Sequence, residues 1–105
     1  MTSKNPAHDK RAKPPRKSDR TKQFDKDWAR LYSAGRTNLR KLKDVMLLLI
    51  ADDAPLPAEY KDHPLQGDWV GHRDCHAAGD LVLIYKLEGD SVIFVRVGSH
   101  AELFE

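Results

Sequence analysis

The sequence predicts an α+β domain in which two helices pack on one face of a small antiparallel sheet. Apolar residues recur at helical spacing between about residues 21 and 51, and strand-like apolar runs follow between about residues 69 and 97. A chain of 105 residues has room for one modest core. Because the strands follow one another with short breaks, they are expected to pair as sequential hairpins, with the helices segregated to one side.

The first 17 residues are basic and rich in proline. They carry six Lys and Arg, three prolines and almost nothing apolar, so they cannot bury enough surface to order themselves. We therefore expect a disordered extension over residues 1–17 and a folded domain over residues 18–105. A weak signal for a polar edge strand is present at Ser18–Lys22.

Two amphipathic helices are predicted next. The first runs from about Thr21 to Ala34 and is ended by Gly35. The second is capped by Thr37 or Asn38 and runs to about Ala51. Their apolar positions repeat every three or four residues and are expected to form core: Phe24, Trp28, Leu31, Tyr32, Leu39, Leu42, Val45, Met46 and Leu49.

Three strands are predicted in the second half of the chain. They are Trp69–His76, Leu81–Leu87 and Ser91–Val97. A turn at Asp52–Pro57 and a polar loop at Ala58–Gly67 join them to the helices, and Ala77–Asp80 forms the next turn. The last two strands flank the Gly89-Asp90 break and make a central hairpin.

Strand alternation predicts which side chains share a face of the sheet. Ile93, Val95 and Val97 are uniformly apolar and are expected to meet the helices, which leaves Val92, Phe94 and Arg96 on the open face. His72, Asp74 and His76 share one face of their own strand. A turn at Val97-Gly98-Ser99 is expected to carry His100 to the rim of the sheet.

The net charge of +2 conceals a strong asymmetry, because residues 1–43 sum to +10 and residues 44–105 to −8. The basic residues continue from the extension onto the predicted helices: Lys22, Lys26, Arg30, Arg36, Arg40, Lys41 and Lys43. A basic half favours a polyanionic partner such as nucleic acid, the ribosome or an acidic protein. Solvated helix faces are the alternative, and the tail alone does not decide.

Several classes of protein are disfavoured. The most apolar stretch, Val45–Ala51, is far too short to span a bilayer, and the charged N-terminus does not resemble a secretory signal. The single cysteine, Cys75, cannot form an internal disulfide, which favours a reducing cytoplasm. Its position within a predicted strand indicates a buried structural thiol.

Four of the five histidines lie from His63 onward. Histidine exchanges protons near neutral pH, and the planar fork of an arginine suits a phosphate. RNA cleavage by attack of the 2′-OH needs a base, a cation and an acid, which His, Asp and Arg supply without a metal. Zinc is less favoured because no Cys-x₂-Cys pair is present. The residues alone leave RNA cleavage, a metal site and a non-catalytic binding module open.

Two segments carry a resemblance to a known family. They are LPAEYKDHPLQGDWVGHRDCH and GDLVLIYKLEGDSVIFVRVGSHAELF. The ordered motifs D-H-P-L-Q-G, G-x-R-D-x-H, L-I-Y-K-L and R-x-G-S-H-x-x-L-F closely resemble the YafQ branch of the RelE-type toxins, which belong to type II toxin–antitoxin pairs. The similarity covers about Leu39–Phe104 well, and Thr21–Ala34 more loosely.

The resemblance implies a RelE-like microbial ribonuclease fold and cleavage of mRNA on the translating ribosome. Carried over by position, the catalytic residues are His63, His76, Asp80, Arg96 and His100. His100 is expected to protonate the leaving oxygen and Arg96 to stabilise the phosphate, while Asp80 and the other histidines provide the base and its supports. The expected RNA contacts are Phe104, Leu81, Lys61 and Arg73. No metal or other cofactor is expected.

The resemblance also implies partners. A cognate antitoxin is expected to hold the toxin inactive, in a complex that is expected to be a heterotetramer, and operator DNA is reached only through the antitoxin. Leu81 stands where the family usually has Trp, and the basic extension is unusual. Leu81 keeps a second hypothesis open, a weak or inactive homologue that acts as an antitoxin-binding co-repressor or DNA-binding module, whereas the role of the extension is left open.

Overall fold

The computed structural model describes residues 14–35 and 38–105. Within them five strands form one sheet, in the spatial order β1-β5-β4-β3-β2. The strands are β1 Lys17–Arg20, β2 His63–Pro64, β3 Arg73–Ala78, β4 Leu81–Glu88 and β5 Ser91–Ser99. The helices are α1 Lys22–Ser33, α2 Leu39–Ala51 and α3 His100–Phe104, with short 3₁₀ turns at Ala58–Tyr60 and Gly67–Trp69.

The predicted α+β class is confirmed, and the sheet is mixed rather than wholly antiparallel. Strands β2 to β5 pair antiparallel in sequence order. Strand β1 pairs parallel to β5, with Arg20 opposite Phe94 at the last pair. A parallel pair needs a long crossover connection. The two long helices and the strands between β1 and β5 provide it.

Both predicted helices are confirmed, although Tyr32, which was predicted to be core, is 72% exposed. Thr21 caps α1, since its Oγ1 accepts from the Phe24 amide at 2.9 Å and donates to the Val95 carbonyl at 2.7 Å. Gly35 follows the helix with a φ of 73°, a left-handed conformation that glycine adopts at little cost. Asn38 occupies the cap position of α2 without a side-chain bond, and Thr37 lies outside the described residues.

The two faces of the sheet are covered differently. On the face we call the helix side, α1 and α2 pack on a continuous core that contains Phe24, Leu42, Cys75, Leu83 and Tyr85. On the face we call the open side, a smaller apolar cluster forms around Val82, Ile84 and Leu103, with Leu65, Trp69, Val95 and Phe104 packed at its margin. Cys75 is fully buried as predicted, and burial raises the pKa of its thiol to about 12.

Three local predictions are corrected. Trp69 belongs to a 3₁₀ turn rather than to the first strand, which begins at Arg73 and continues to Ala78. The polar loop contains β2, a strand of only two residues. The segment after Val97 stays in β5 to Ser99 and then enters α3 instead of forming a turn.

The predicted faces of the last strand are wrong from Val92 to Val95, because a β-bulge shifts the β4–β5 register between Ile84 and Tyr85. Val92 and Phe94 therefore pack on the helix side, while Val95 joins the open-side cluster. Beyond the bulge the phase reverses, and Val97 packs on the helix side as predicted.

The folded part begins before the predicted boundary at Ser18. Strand β1 confirms the predicted polar edge strand, but it runs from Lys17 to Arg20 rather than from Ser18 to Lys22. Arg16 donates through Nη1 to the carbonyls of Leu49 and Asp52, at 2.8 and 2.9 Å. Residues 1–13 of the predicted extension lie outside the described residues. None of the described helices is long and apolar enough to cross a membrane.

Candidate functional site

His63 and Asp74 face each other across the short β2–β3 pair. The Lys61 carbonyl accepts from Nδ1 of His63 at 2.8 Å, which fixes a proton on that nitrogen because a carbonyl only accepts. Nε2 of the same ring lies 3.1 Å from Oδ1 of Asp74. Lys61 adopts a left-handed φ of 51° that turns the chain at this point.

Asp74 is buried and incompletely bonded. Its side chain is 4% exposed, and the contact with His63 is close but not aligned as a hydrogen bond. Oδ1 therefore lacks a hydrogen-bond partner among the described residues. Burial raises the pKa of the carboxyl, and the nearby His63, His76 and His100 rings offset only part of that effect.

Three of the predicted site residues act electrostatically on a carboxylate that the sequence prediction left out. His63, His76 and His100 all interact electrostatically with Asp74. The signal was present in the sequence, since strand alternation already placed Asp74 and His76 on one face. A buried acid among histidines stabilises any imidazolium that forms when a ring takes a proton.

A tyrosine and an arginine hold the segment that carries His63. Tyr85 donates its hydroxyl hydrogen bond to Oδ1 of Asp62, and Arg73 donates through Nη2 to Oδ2 at 2.9 Å. Burial and the Asp62 contact raise the pKa of Tyr85, so this donor keeps its proton. The pair fixes Asp62, and with it the neighbouring ring of His63, against the central strands.

His100 begins α3 directly after β5. Ser99 and Glu102 form a reciprocal capping box, in which the Ser99 amide donates to Glu102 at 2.7 Å and the Glu102 amide donates to Ser99 Oγ at 3.1 Å. Leu81 pairs with Ser99, so Asp80 and His100 lie just beyond that pair at the same end of the sheet.

Gly98 permits α3 to fold back on the sheet. A Cβ at this position would lie 2.8 Å from Oε1 of Glu102, the oxygen that bonds the Ser99 amide. The second oxygen of Glu102 accepts from Nη1 of Arg30 at 2.6 Å, which ties α3 to the first helix. The position of His100 therefore depends on the capping box of its own helix and on the contact of Glu102 with Arg30 in α1.

Phe104 lies beside the candidate acid. Its ring centroid is 4.8 Å from that of His100, and the ring packs at the margin of the open-side cluster while remaining partly exposed. Trp69 contacts His72 edge to face at 5.3 Å and borders the same cluster. Partly exposed aromatic rings around an apolar floor offer stacking surfaces for bases.

Arg96 lies on the open side as predicted, since it pairs with Ile84 of the open-side cluster, but its guanidinium is bonded to a helix. Its Nε and Nη2 donate to the two carboxylate oxygens of Asp27 in α1, at 2.9 and 3.1 Å. The predicted partners for a structural ion pair, Asp74 and Asp80, are replaced by this helix residue. Asp27 had not been singled out, although it lies beside Trp28 on the buried face of α1.

The predicted RNA-contacting residues differ in exposure and in their bonds within the protein. Leu81 is fully buried in the helix-side core, so it cannot reach a ligand, and it simply starts β4. Arg73 is bonded to Asp62 and pairs with Tyr85 on the helix side, away from the histidines. Lys61 is exposed close to His63. Over the described ranges no group of three or more His, Cys, Asp or Glu side chains is placed to hold a metal ion.

Comparison with known proteins gives consistent matches. The profile of the family described as "Bacterial toxin of type II toxin-antitoxin system, YafQ" matches residues 16–105. The mRNA interferase toxin YafQ of Escherichia coli K12 is 50% identical over 82 residues, which cover 78% of this chain and 88% of that protein.

Solved structures agree with the sequence match. YafQ from E. coli BL21(DE3) superposes with a TM-score of 0.80 at 44% identity, over 86% of this chain and 99% of that one. A chain of the E. coli DinJ–YafQ toxin–antitoxin complex gives 0.79 at 45% identity, over 87% and 99%. On these matches, this chain belongs to the YafQ family of toxins of type II toxin–antitoxin systems.

Proposed function

We propose that this toxin cleaves mRNA on the translating ribosome by acid–base attack of the 2′-OH on the adjacent phosphate. As a YafQ-family protein it is an endoribonuclease of the mRNA interferase class. We propose in addition that cleavage depends on the ribosome, that it needs no metal, and that the residues named below carry it out.

The roles follow from position in the site. His100 donates the proton to the leaving 5′-oxygen, and Phe104, in ring contact with it, positions the nucleotide. Arg96 stabilises the charge that develops on the phosphate. The base comes from His63 and His76, with Asp80 in support and Asp74 stabilising the imidazolium.

The observation that carries the proposal is the buried carboxylate of Asp74, which lies 3.1 Å from Nε2 of His63 and within electrostatic range of His76 and His100. A burial that raises the pKa of an acid costs stability, so an unsatisfied buried carboxylate in contact with a histidine favours a functional role over a structural one. Coupled rings of this kind titrate as a group, which is why the proposal assigns the base to the pair.

A cognate antitoxin is the inhibitory partner of this toxin, as DinJ is of YafQ in the E. coli complex. We propose that the complex is a heterotetramer, that it reaches operator DNA through the antitoxin, and that the free toxin acts in the cytoplasm, where its ribosomal substrate lies. The basic residues of α1 and α2 are suited to an acidic segment of the antitoxin.

The test is primer extension on a defined mRNA in a reconstituted translation reaction. The proposal expects new 3′ ends only when ribosomes are present, and suppression of those ends by the purified antitoxin. Equal cleavage of free mRNA would contradict ribosome dependence, and no cleavage in either condition would contradict catalytic activity.

The alternative, an inactive homologue that only binds its antitoxin, had one argument in the sequence, namely Leu81 in place of the family's Trp. Leu81 is fully buried at the start of β4 and fills the core. That packing accounts for the residue without a loss of activity, so the catalytic proposal is preferred.

A further inference from the structure

The first helix places a carboxylate inside the protein at the edge of β5. Asp27 is buried in α1, with its side chain 2% exposed, while that of Arg96 is 25% exposed. Its Oδ2 also accepts from the Val97 amide at 3.1 Å, and its Oδ1 accepts from Nε2 of Gln23 at 3.1 Å. Strand β1 ends opposite Phe94, so here Asp27 takes the edge position that a strand would otherwise occupy.

Burial disfavours the charged form of Asp27, but the hydrogen bonds from Arg96, Val97 and Gln23 outweigh it and hold the pKa of the carboxyl below its ordinary value. The same bond raises the pKa of the Arg96 guanidinium. Both shifts favour the ionised forms of the two partners. The acid is the buried anchor of the pair, and the arginine is the member that reaches the surface.

The way the two groups meet leaves one edge of the guanidinium available. A guanidinium has five N–H donors in a rigid fork. Asp27 takes the side edge, Nε and one hydrogen of Nη2. No hydrogen bond within the described ranges involves Nη1. The end edge, formed by Nη1 and the second hydrogen of Nη2, has the geometry that receives two phosphate oxygens.

We propose that Asp27 is a positioning residue for the reaction: it holds Arg96 by its side edge so that the end edge faces the scissile phosphate. The inference rests on the phosphate role of Arg96 in the proposed function. It makes α1 part of the active site, although no residue of α1 is expected to touch the RNA at the cut.

The experiment compares Asp27→Asn with Asp25→Asn. Asp25 lies on the same helix and is also paired with an arginine, Arg20, at 2.7 Å, but both partners are exposed. Single-turnover cleavage of ribosome-bound mRNA and ribosome affinity are measured separately. Loss of positioning typically costs about tenfold to a hundredfold in rate, so we expect that loss for Asp27→Asn with ribosome affinity within about twofold, and wild-type values for Asp25→Asn.

A double-mutant cycle separates positioning from general destabilisation. Arg96→Gln should slow cleavage, and adding Asp27→Asn to it should cost less than about twofold more, because the residue through which Asp27 acts is already gone. Full additivity of the two losses would overturn the inference. If Asp27→Asn cleaves at the wild-type rate while Arg96→Gln is impaired, the inference about Asp27 is overturned and the proposed role of Arg96 stands. Wild-type cleavage by Arg96→Gln would instead contradict the proposed role of Arg96, and the inference with it.

A measurement on the wild-type protein keeps the inference testable if Asp27→Asn does not fold. A guanidinium held by its side edge rotates slowly about Nε–Cζ, so NMR should show separate Nη1 and Nη2 resonances for Arg96. The exposed pair of Arg20 serves as the internal comparison. Averaged Nη resonances for Arg96 would show that Asp27 does not orient it.

Discussion

Replacing Asp74 with Asn separates the function of this carboxylate from its cost to the fold. Asp74 lies 3.1 Å from Nε2 of His63, where a full charge contributes about 1 kcal/mol in water and about 5 kcal/mol at an effective dielectric constant of 20. His63 is half exposed, so we take about 1.5–3 kcal/mol. Lost from the transition state, that energy slows cleavage about 10- to 150-fold.

The same substitution should leave the fold intact or stabilise it. Burial raises the pKa of Asp74, so the folded state binds the proton more tightly than the unfolded chain. Stability attributable to this group is therefore highest below the ordinary pKa of an aspartate, about 3.9, and falls as pH rises through the folded pKa. Asn mimics the protonated acid, so the variant should gain melting temperature at neutral pH and lose that advantage near pH 4.

The assay pairs single-turnover cleavage of ribosome-bound mRNA with thermal unfolding from pH 4 to 8. Asp44→Asn, an exposed carboxylate on α2, is the matched control and should change neither. A variant that cleaves at the wild-type rate would refute the role of Asp74. A variant that is slower but also less stable at neutral pH would show that the carboxylate serves the fold.

Three further predictions concern the N-terminal segment, Gly98 and the lysines of α1. Deleting residues 1–13 should leave the melting temperature nearly unchanged and weaken ribosome binding with a smaller salt slope, whereas deleting 1–17 also removes the contacts of Arg16 and should lower the melting temperature by several degrees, as calorimetry would show. Gly98→Ala should push the carboxylate that caps α3 aside and slow cleavage more than it lowers stability. Lys22→Glu with Lys26→Glu should slow antitoxin association more than it speeds dissociation, and the effect should fade with salt in stopped-flow measurements; an unchanged association rate at low salt would exclude charge steering.

The strongly periodic parts of the chain were predictable from sequence. Two continuous apolar runs around Gly89-Asp90 leave a hairpin as the simplest arrangement, and the helical stripes have only one face that a core can cover. The family motifs then identified His63, His76 and His100 as site residues without any knowledge of the sheet.

The errors have physical causes. A bulge at Val95 is a one-residue change of phase that leaves no mark on composition, yet it turned Val92 and Phe94 to the helix side. Helix α3 did leave a mark, because Ser99 and Glu102 match the spacing of a capping box. Asp27 could also have been identified from the sequence, since a charged residue among the apolar positions of a helix indicates a buried polar contact.

The most direct measurement of the central claim is the chemistry of the new RNA ends produced by the wild-type toxin and by His100→Ala on ribosome-bound mRNA. Attack by the 2′-OH with His100 as the acid predicts a 2′,3′-cyclic phosphate and a 5′-hydroxyl, and a loss of about 10²–10⁴ in rate for the variant. A 3′-hydroxyl with a 5′-phosphate, or a variant that cuts as fast as the wild type, would contradict it.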